Sequence, residues 1–185
     1  GDQLYRMNYA DLLATHEANN ADVTIAGIPV SDDVSSSFGI MRFDSTGRVE
    51  GFLEKPKTTA ELDLVRTDPA WIEQAGIQAA GRSLMASMGI YLFDRDCLLD
   101  LLLKTDYQDF GKEVFPAAIR AKHVQLHPFD GYWEDIGTIR SYYQCNIDLA
   151  SSKPPFELAA PHAPIYSRAR FLPPSRVDGA RVQGS

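Results

Sequence analysis

The chain has 185 residues, of which 44% are hydrophobic, so it can form a packed core and is not intrinsically disordered. Its 18 basic and 25 acidic residues give a formal net charge of −7, which argues against general binding to nucleic acid or to anionic membranes. No apolar run approaches the roughly 18 residues that a membrane-spanning helix needs. We therefore expect a protein of a soluble intracellular compartment, with neither nucleic acid nor a membrane as partner.

The first part of the chain predicts an alternation of helices and extended segments. Residues Tyr9–Ala18 have the spacing of a short amphipathic helix, and the β-branched run at 23–28, closed by Pro29, predicts a buried strand. Residues 39–44 and 48–53 flank a short Gly-containing turn and predict a β-hairpin. This order of elements indicates an α/β sheet.

The middle of the chain continues this pattern. Residues 57–82 are polar with partial helical spacing and predict a helical or loop excursion on the surface, whereas Leu84–Phe93 is nearly continuous apolar sequence, typical of a strand covered on both faces. Helices are predicted at 94–104, 112–121 and 138–150, a strand at 124–129 and a turn at 131–137. Thr138 is the expected N-cap of the last helix, and Cys97 and Cys145 are expected to be buried thiols.

The composition changes sharply after Ala150. Six prolines fall within one stretch, at Pro154, Pro155, Pro161, Pro164, Pro173 and Pro174. Such a stretch is typical of a linker or a wrapping segment and not of a domain core. We therefore interpret 1–150 as one domain, 151–174 as a Pro-rich linker, and 175–185 as the start of a further unit such as a left-handed β-helix.

Acidic residues stand where strands are predicted to end, at Asp2, Glu54 and Asp135. Carboxylates at the carboxyl ends of strands are well placed to hold a hard cation such as Mg²⁺ beside a phosphate-containing ligand. Lys55 could offer a compact positive charge to such a phosphate, provided that the chain turns there, since neighbouring strand residues face opposite ways. Each of these residues could instead be a solvated turn or surface residue.

A second polar group follows at Asp109 and Phe110, before Gly111. This triplet could pair a carboxylate for sugar hydroxyls with an aromatic wall, or it could simply mark a turn before a helix. The Gly-rich loops that cradle nucleotide phosphates do not occur, and the four histidines lack the spacing of a zinc site. The residues alone therefore indicate an α/β domain with a candidate anion and metal site.

Six segments together resemble one family, glucose-1-phosphate adenylyltransferase, also called ADP-glucose pyrophosphorylase. The EKP and WEDIGT elements recur across sugar-nucleotide pyrophosphorylases, whereas GDxLYRM and ASMGIY are more specific to the ADP-glucose branch. The segments are GDQLYRMNY (1–9), FGIMRFDSTGRVEGFLEKPK (38–57), ASMGIYLFDRDCLLDLL (86–102), DFGKEVFP (109–116), FDGYWEDIGTIRSYYQCN (129–146) and PIYSRARFLPPS (164–175).

The resemblance implies a fold and an activity. The fold would be a Rossmann-like, GT-A-like nucleotidyltransferase domain with a mixed sheet flanked by helices, of which 1–150 would be the C-terminal part. The activity would be transfer of the adenylyl group of ATP to α-D-glucose 1-phosphate, with Mg²⁺, in glycogen or starch biosynthesis. The implied assembly is a homotetramer in bacterial cytoplasm, or a heterotetramer in a plastid, under the control of small anionic allosteric effectors.

The resemblance also implies roles for particular residues. Asp2 and Asp135 would hold the Mg²⁺, Lys55 would bind the phosphate of glucose 1-phosphate, and these three form the catalytic set. Glu54 would contact the sugar. The hexose pocket would be shaped by Gly39, Ser87, Tyr91, Asp109, Phe110 and Trp133. Arg170 would lie near an anionic effector site, although Ala169 replaces the usual proline there.

Two alternatives stay open at this stage. One is a UDP-glucose or dTDP-glucose pyrophosphorylase, with the same chemistry and another base. The other is a non-catalytic regulatory subunit. The family's Gly-rich nucleotide loop is expected upstream of Gly1, so we expect the 185 residues alone to be inactive.

Overall fold

The computed structural model describes residues 2–107, 109–158, 160–161, 163–166, 168, 170–171, 178–179 and 181, the side chain of Phe110 excepted. Strands in these residues are β1 (Gln3–Tyr5), β2 (Val23–Val30), β3 (Gly39–Phe43), β4 (Val49–Glu54), β5 (Leu84–Phe93), β6 (Val124–Pro128) and β7 (Trp133–Asp135). The helices are α1 (Tyr9–Ala18), α2 (Asp32–Ser35), α3 (Thr59–Asp63), α4 (Pro69–Gln74), α5 (Arg95–Leu103), α6 (Phe115–Ala121) and α7 (Ile139–Leu149), with a π-helical turn at Phe110–Val114.

Five strands form one mixed sheet in the order β4-β3-β5-β2-β6. The β2–β6 pair is parallel, and the other pairs are antiparallel. The remaining strands, β1 and β7, form a separate antiparallel ribbon. A mixed sheet with helices against it confirms the α/β fold class that the sequence predicts.

Alternating residues of the sheet enter two apolar clusters on its opposite faces. Met41 packs in a cluster with Ile25, Met85 and Phe115, which are each fully buried, whereas its neighbour Ile40 packs in the other cluster. The larger cluster takes residues from α4, α5 and α6, and the smaller one takes Leu62 and Val65 from the α3 region. The sheet is therefore covered on both faces over its centre.

Several sequence predictions need correction. Pro29 does not close β2, which continues to Val30. The parallel partner β6 ends its pairing at Gly27, so the missing N–H of Pro29 interrupts no ladder on that side. The segment 57–82 is not merely a surface excursion, because it buries several apolar side chains in the core. These are Leu62, Val65, Ile72, Ile77 and Ala79.

The third correction concerns 131–137, which contains a short strand and not only a turn. Its residues Trp133–Asp135 pair with Gln3–Tyr5, which are far away in sequence. Three residues are too few to show the alternation by which a strand is predicted. The strand Leu84–Phe93 is also covered on both faces only in its first half, since Gly89 is exposed and residues 90–93 are partly exposed.

The helix predictions hold with small changes. The predicted helix at 112–121 begins earlier as the π-helical turn and becomes α-helical at Phe115. Thr138 caps α7 as expected, in a reciprocal pair of hydrogen bonds with Ser141. Cys97 and Cys145 are buried free thiols. Among the residues described, no helix has the length and apolar character to span a bilayer.

The predicted β-helix start at 175–185 falls mainly outside the described residues. Arg170 is described and exposed. It is not among the residues that line the cleft described below. The division of the chain near residue 150 stays a prediction.

Candidate functional site

A cleft of about 200 Å³ opens where β4 ends and β5 passes the β1–β7 ribbon. It brings together residues from six separate parts of the chain. Seven of the residues singled out from the sequence line it, namely Gly39, Glu54, Lys55, Ser87, Tyr91, Trp133 and Asp135. The cleft thus combines carboxylates, an ammonium group, hydroxyls and an aromatic wall.

Lys55 turns the chain sharply at the end of β4. Its φ of +50° is unusual for a residue with a side chain, and its N–H donates to the Phe38 carbonyl over 3.0 Å. The turn lets the Lys55 ammonium lie 3.9 Å from Glu54 Oε1, although the two are neighbours in sequence. The condition for a shared role of Glu54 and Lys55 is therefore met.

Gly39 allows the side chains of Phe52 and Glu54 to pack closely against the backbone beside the cleft. Gly39 lies opposite Glu54 in the β3–β4 ladder. A Cβ at Gly39 would stand 2.7 Å from Phe52 Cε2 and 3.0 Å from Glu54 Oε2. Any larger residue here would have to displace the Phe52 ring and press on the Glu54 carboxylate, so this position favours glycine.

A bulge in β5 positions Ser87 and Tyr91. Ser87 pairs with Gly27 and Tyr91 with Ile25, so three residues of β5 stand opposite a single residue of β2. Gly89, in the middle of the bulge, has a φ of +71°, and its N–H donates to Ser87 Oγ over 3.2 Å. The bulge thereby presents both hydroxyl-bearing side chains to one cleft.

The Tyr91 hydroxyl stays protonated in this setting. Burial raises the pKa of Tyr91, and the Glu54 and Asp109 carboxylates raise it further, against the opposing effect of a hydrogen bond with Ser87. A neutral phenol can donate a hydrogen bond to a ligand oxygen.

Asp109 lies beside the cleft and also holds the π-helical turn. Its Oδ1 accepts the Lys112 N–H over 2.8 Å, and its own N–H donates to Glu113 Oε2 over 3.0 Å. A Cβ on Gly111 would lie 3.5 Å from Asp109 Oδ1 and 3.8 Å from Glu54 Oε2, so the two carboxylates approach one point. Asp109 thus caps the π-helical turn and also lies close to the cleft. The side chain of Phe110 lies outside the described atoms.

The β1–β7 ribbon brings Asp2 and Asp135 together. Gln3 stands opposite Asp135, and the Ile136 N–H donates to the Asp2 carbonyl over 2.7 Å. Asp135 Oδ1 and Asp2 Oδ2 lie 3.0 and 3.4 Å from the point where a Cβ on Gly137 would stand. Asp2 precedes β1, so the prediction that it follows a strand was wrong. The two carboxylates come together because β1 pairs with β7, and not because both residues follow strands.

This carboxylate pair fits a Mg²⁺ ion that is held jointly with a substrate. Mg²⁺ is commonly bound by one or two carboxylates, with waters and substrate phosphates completing its octahedron. Within the described part of the chain, no group of three or more His, Cys, Asp or Glu residues could form a closed protein cage. The donor set therefore suits a metal that arrives with a phosphate ligand.

The cleft also contains residues that the sequence did not single out. Gln3, Phe38 and Gly89 line it, and the Phe38 ring meets the Trp133 ring edge-on at 5.2 Å. Trp133 Nε1 is buried and has no hydrogen-bond partner among the described residues. Of these three residues, Gly89 is the one that the sequence could have indicated, because a glycine inside an apolar strand often marks a bulge.

The fold is an α/β domain of the Rossmann-like kind, with a polar cleft at the end of β4. Residues 1–152 match the family model described as nucleotidyl transferase. Because the match spans most of the chain, the chain belongs to the nucleotidyl transferase family. This membership supports a nucleotidyltransferase enzyme acting in sugar-nucleotide chemistry.

Proposed function

We propose that the protein transfers the adenylyl group of ATP to α-D-glucose 1-phosphate, giving ADP-glucose and diphosphate, the committed step of glycogen or starch synthesis. The observation that carries this proposal is the convergence of Glu54, Lys55, Ser87 and Tyr91 on one cleft with the Asp2–Asp135 pair at its edge. Family membership supports the reaction class. The ADP-glucose product is proposed on the resemblance of the GDxLYRM and ASMGIY segments.

The cleft has a distinct part for each half of a sugar phosphate. Glu54 accepts hydrogen bonds from sugar hydroxyls, and the neutral Tyr91 phenol donates to a sugar oxygen. Trp133 supplies an apolar wall for the ring, and its buried Nε1–H is a donor without a partner among the described residues. The Lys55 ammonium, with its side chain 59% exposed, is available to the phosphate.

The reaction needs no protein nucleophile. A phosphate oxygen of the sugar phosphate forms a bond to the α-phosphorus of ATP. The bond from that phosphorus to the bridging oxygen breaks on the opposite side, so diphosphate leaves with the electron pair. Mg²⁺, when bound by Asp2 and Asp135, supplies positive charge to the phosphates. Lys55 offsets negative charge on the sugar phosphate, and the cleft holds two mutually repelling anions in reacting geometry.

Two other candidates remain within the same family. A UDP-glucose or dTDP-glucose pyrophosphorylase would use the same sugar and metal residues with a different base. A non-catalytic regulatory subunit would bind effectors instead, and the presence of Asp2, Lys55 and Asp135 argues against it. Control by anionic effectors near Arg170, a tetrameric assembly, and a bacterial cytoplasmic or plastid location are further proposals that rest on the resemblance.

The deciding experiment measures nucleotide-sugar formation by the complete natural chain. Glucose 1-phosphate and Mg²⁺ are supplied with ATP, UTP or dTTP in parallel. We expect ADP-glucose to form with a kcat/KM for ATP at least about tenfold above those for the other nucleotides, a difference of about 1.4 kcal/mol. A preference for UTP or dTTP would assign another base. Binding of glucose 1-phosphate without any product would identify a regulatory subunit.

A further inference from the structure

A second cavity, larger than the cleft, lies at the far end of the β3–β4 hairpin. It holds about 300 Å³, against about 200 Å³ in the cleft, and it shares no residue with the cleft. Its volume is at the lower end of the range of small-molecule sites, which is roughly 300–1,000 Å³. Its principal lining residues are Phe43, Asp44, Arg66, Asp68, Trp71 and Gln74.

Two aromatic rings give this cavity a fixed wall. The rings of Phe43 and Trp71 meet edge-on with centroids 4.5 Å apart, and both pack against the main core. The Trp71 indole N–H donates to the Ser45 carbonyl over 3.1 Å, which ties α4 to the hairpin turn. The wall is therefore preformed, and the indole N–H of Trp71 already has a hydrogen-bond acceptor.

The positive charge in the lining is already neutralised. Arg66 donates to Asp32 over 2.8 and 3.0 Å and to Asp63 over 2.8 Å. The hydrogen bonds with Asp32 and Asp63 also raise the pKa of Arg66. The guanidinium group is thus held by two carboxylates, which leaves it poorly suited to attract an anion.

The remaining polar groups mostly accept hydrogen bonds. Asp44 Oδ1 accepts bonds from Thr46 and Arg48 N–H groups over 2.8 and 3.1 Å, and Asp68 Oδ1 accepts the Ala70 N–H over 2.9 Å. These bonds fix both side chains in place. An ionised carboxylate has acceptor capacity beyond such bonds, and the Gln74 amide adds a group that accepts and donates.

We propose that this cavity binds an uncharged sugar ring, at a site separate from the cleft. Hydroxyl groups of the ring donate to Asp44 and Asp68, and its C–H face lies against Trp71 and Phe43. The two carboxylates oppose an anion, and a ligand rich in hydroxyl donors can bond to both of them while its C–H face covers the two rings. This proposal does not depend on which reaction the cleft performs.

The test measures binding of glucose and of maltose by isothermal titration calorimetry, with inorganic phosphate and ethylammonium as charged probes. Gln74→Trp fills the cavity, whereas Glu73→Trp places the same side chain on the adjacent exposed position of α4, which does not line it. Glu54→Gln changes the cleft alone. Thermal midpoints of all variants show whether each is folded, and Ala70→Leu serves as a second filling variant.

We expect glucose or maltose to bind the unaltered protein, Glu73→Trp and Glu54→Gln alike, and to bind Gln74→Trp at least about tenfold more weakly, or about 1.4 kcal/mol. The proposal is overturned by undiminished sugar binding in folded Gln74→Trp and Ala70→Leu. Loss of sugar binding in Glu54→Gln would place the sugar in the cleft and also overturn it. So would absence of sugar binding, whether or not phosphate or ethylammonium binds in its place. No outcome here decides the nucleotide reaction.

Discussion

The five-stranded sheet and the two-stranded ribbon differ in burial and in chemistry. In β2 of the large sheet, seven of eight residues are buried. In β1 and β7 no residue is buried, and the ribbon holds the Asp2–Asp135 pair. The difference shows that the packed scaffold lies in the large sheet, whereas the Asp2–Asp135 carboxylates are carried by an exposed ribbon. Substitutions in the two regions should therefore change different measured quantities.

The ribbon is short, and residues that flank its strands continue its hydrogen bonding. A two-stranded ribbon of this length is marginal by itself. Here the Arg6 N–H donates to the Tyr132 carbonyl over 3.3 Å, and Thr138, shortly after β7, caps α7. The acidic pair is thus held by a short ribbon, with α7 beginning soon after β7. Four predictions test this separation, in order of decreasing effect.

Phe115→Ala should destabilise the whole domain. Phe115 is fully buried against Phe52 and Tyr91. Its truncation should cost about 3–5 kcal/mol in the free energy of unfolding, measured by urea denaturation. The matched change in the ribbon, Leu4→Ala, should cost less than about 1 kcal/mol, since Leu4 is only half-buried. Similar costs for both variants would contradict the separation of scaffold and ribbon.

Asp135→Asn should remove activity without unfolding the complete protein. The proposed Mg²⁺ would lose a charged ligand, so turnover should fall roughly a hundredfold or more, about 2.7 kcal/mol in the activation barrier. The thermal midpoint should stay nearly unchanged. Glu134→Gln is the control, because Glu134 adjoins Asp135 but lines a separate pocket with Thr138 and Asp148. Near-normal turnover in Asp135→Asn would remove the assignment.

Lys55→Ala should raise the KM for glucose 1-phosphate roughly tenfold or more, about 1.4 kcal/mol, and the KM for ATP far less. Alanine also has a Cβ, so the cost of the positive φ at this position stays similar. Lys57→Ala is the control, since Lys57 is also exposed and does not line the cleft. Equal changes in the KM for both substrates would argue against a sugar-phosphate role for Lys55.

The smallest effect concerns His127 in the large sheet. Burial lowers the pKa of His127 from its usual 6.5, against the opposing charge of Asp11, and its Nδ1 is 2.8 Å from Thr15 Oγ1. The unfolded chain therefore takes up a proton first as pH falls below 6.5, and stability decreases. His127→Gln should reduce this loss by less than about 1 kcal/mol, measured by urea denaturation at neutral and mildly acidic pH. An unchanged pH dependence would exclude His127 as its source.

Local patterns predicted the elements that are long or bounded by clear turns. The apolar run of β5, the hairpin around Gly47 and the helix Tyr9–Ala18 all occur as expected. The strand β7 was not predicted because it has only three residues and its partner β1 is far away in sequence. The buried part of 57–82 was missed because a few apolar residues in a polar segment do not show which face they cover.

The sequence by itself determined the fold class and the chemical groups of the cleft, because apolar runs and side-chain identity are local properties. Only the tertiary structure decided their geometry. The turn at Lys55, the β5 bulge at Gly89 and the β1–β7 pairing bring distant residues to one place. The cavity at Trp71 likewise exists only once α4 meets the hairpin. These long-range contacts depend on how the whole chain packs, and a short segment of sequence does not carry that information.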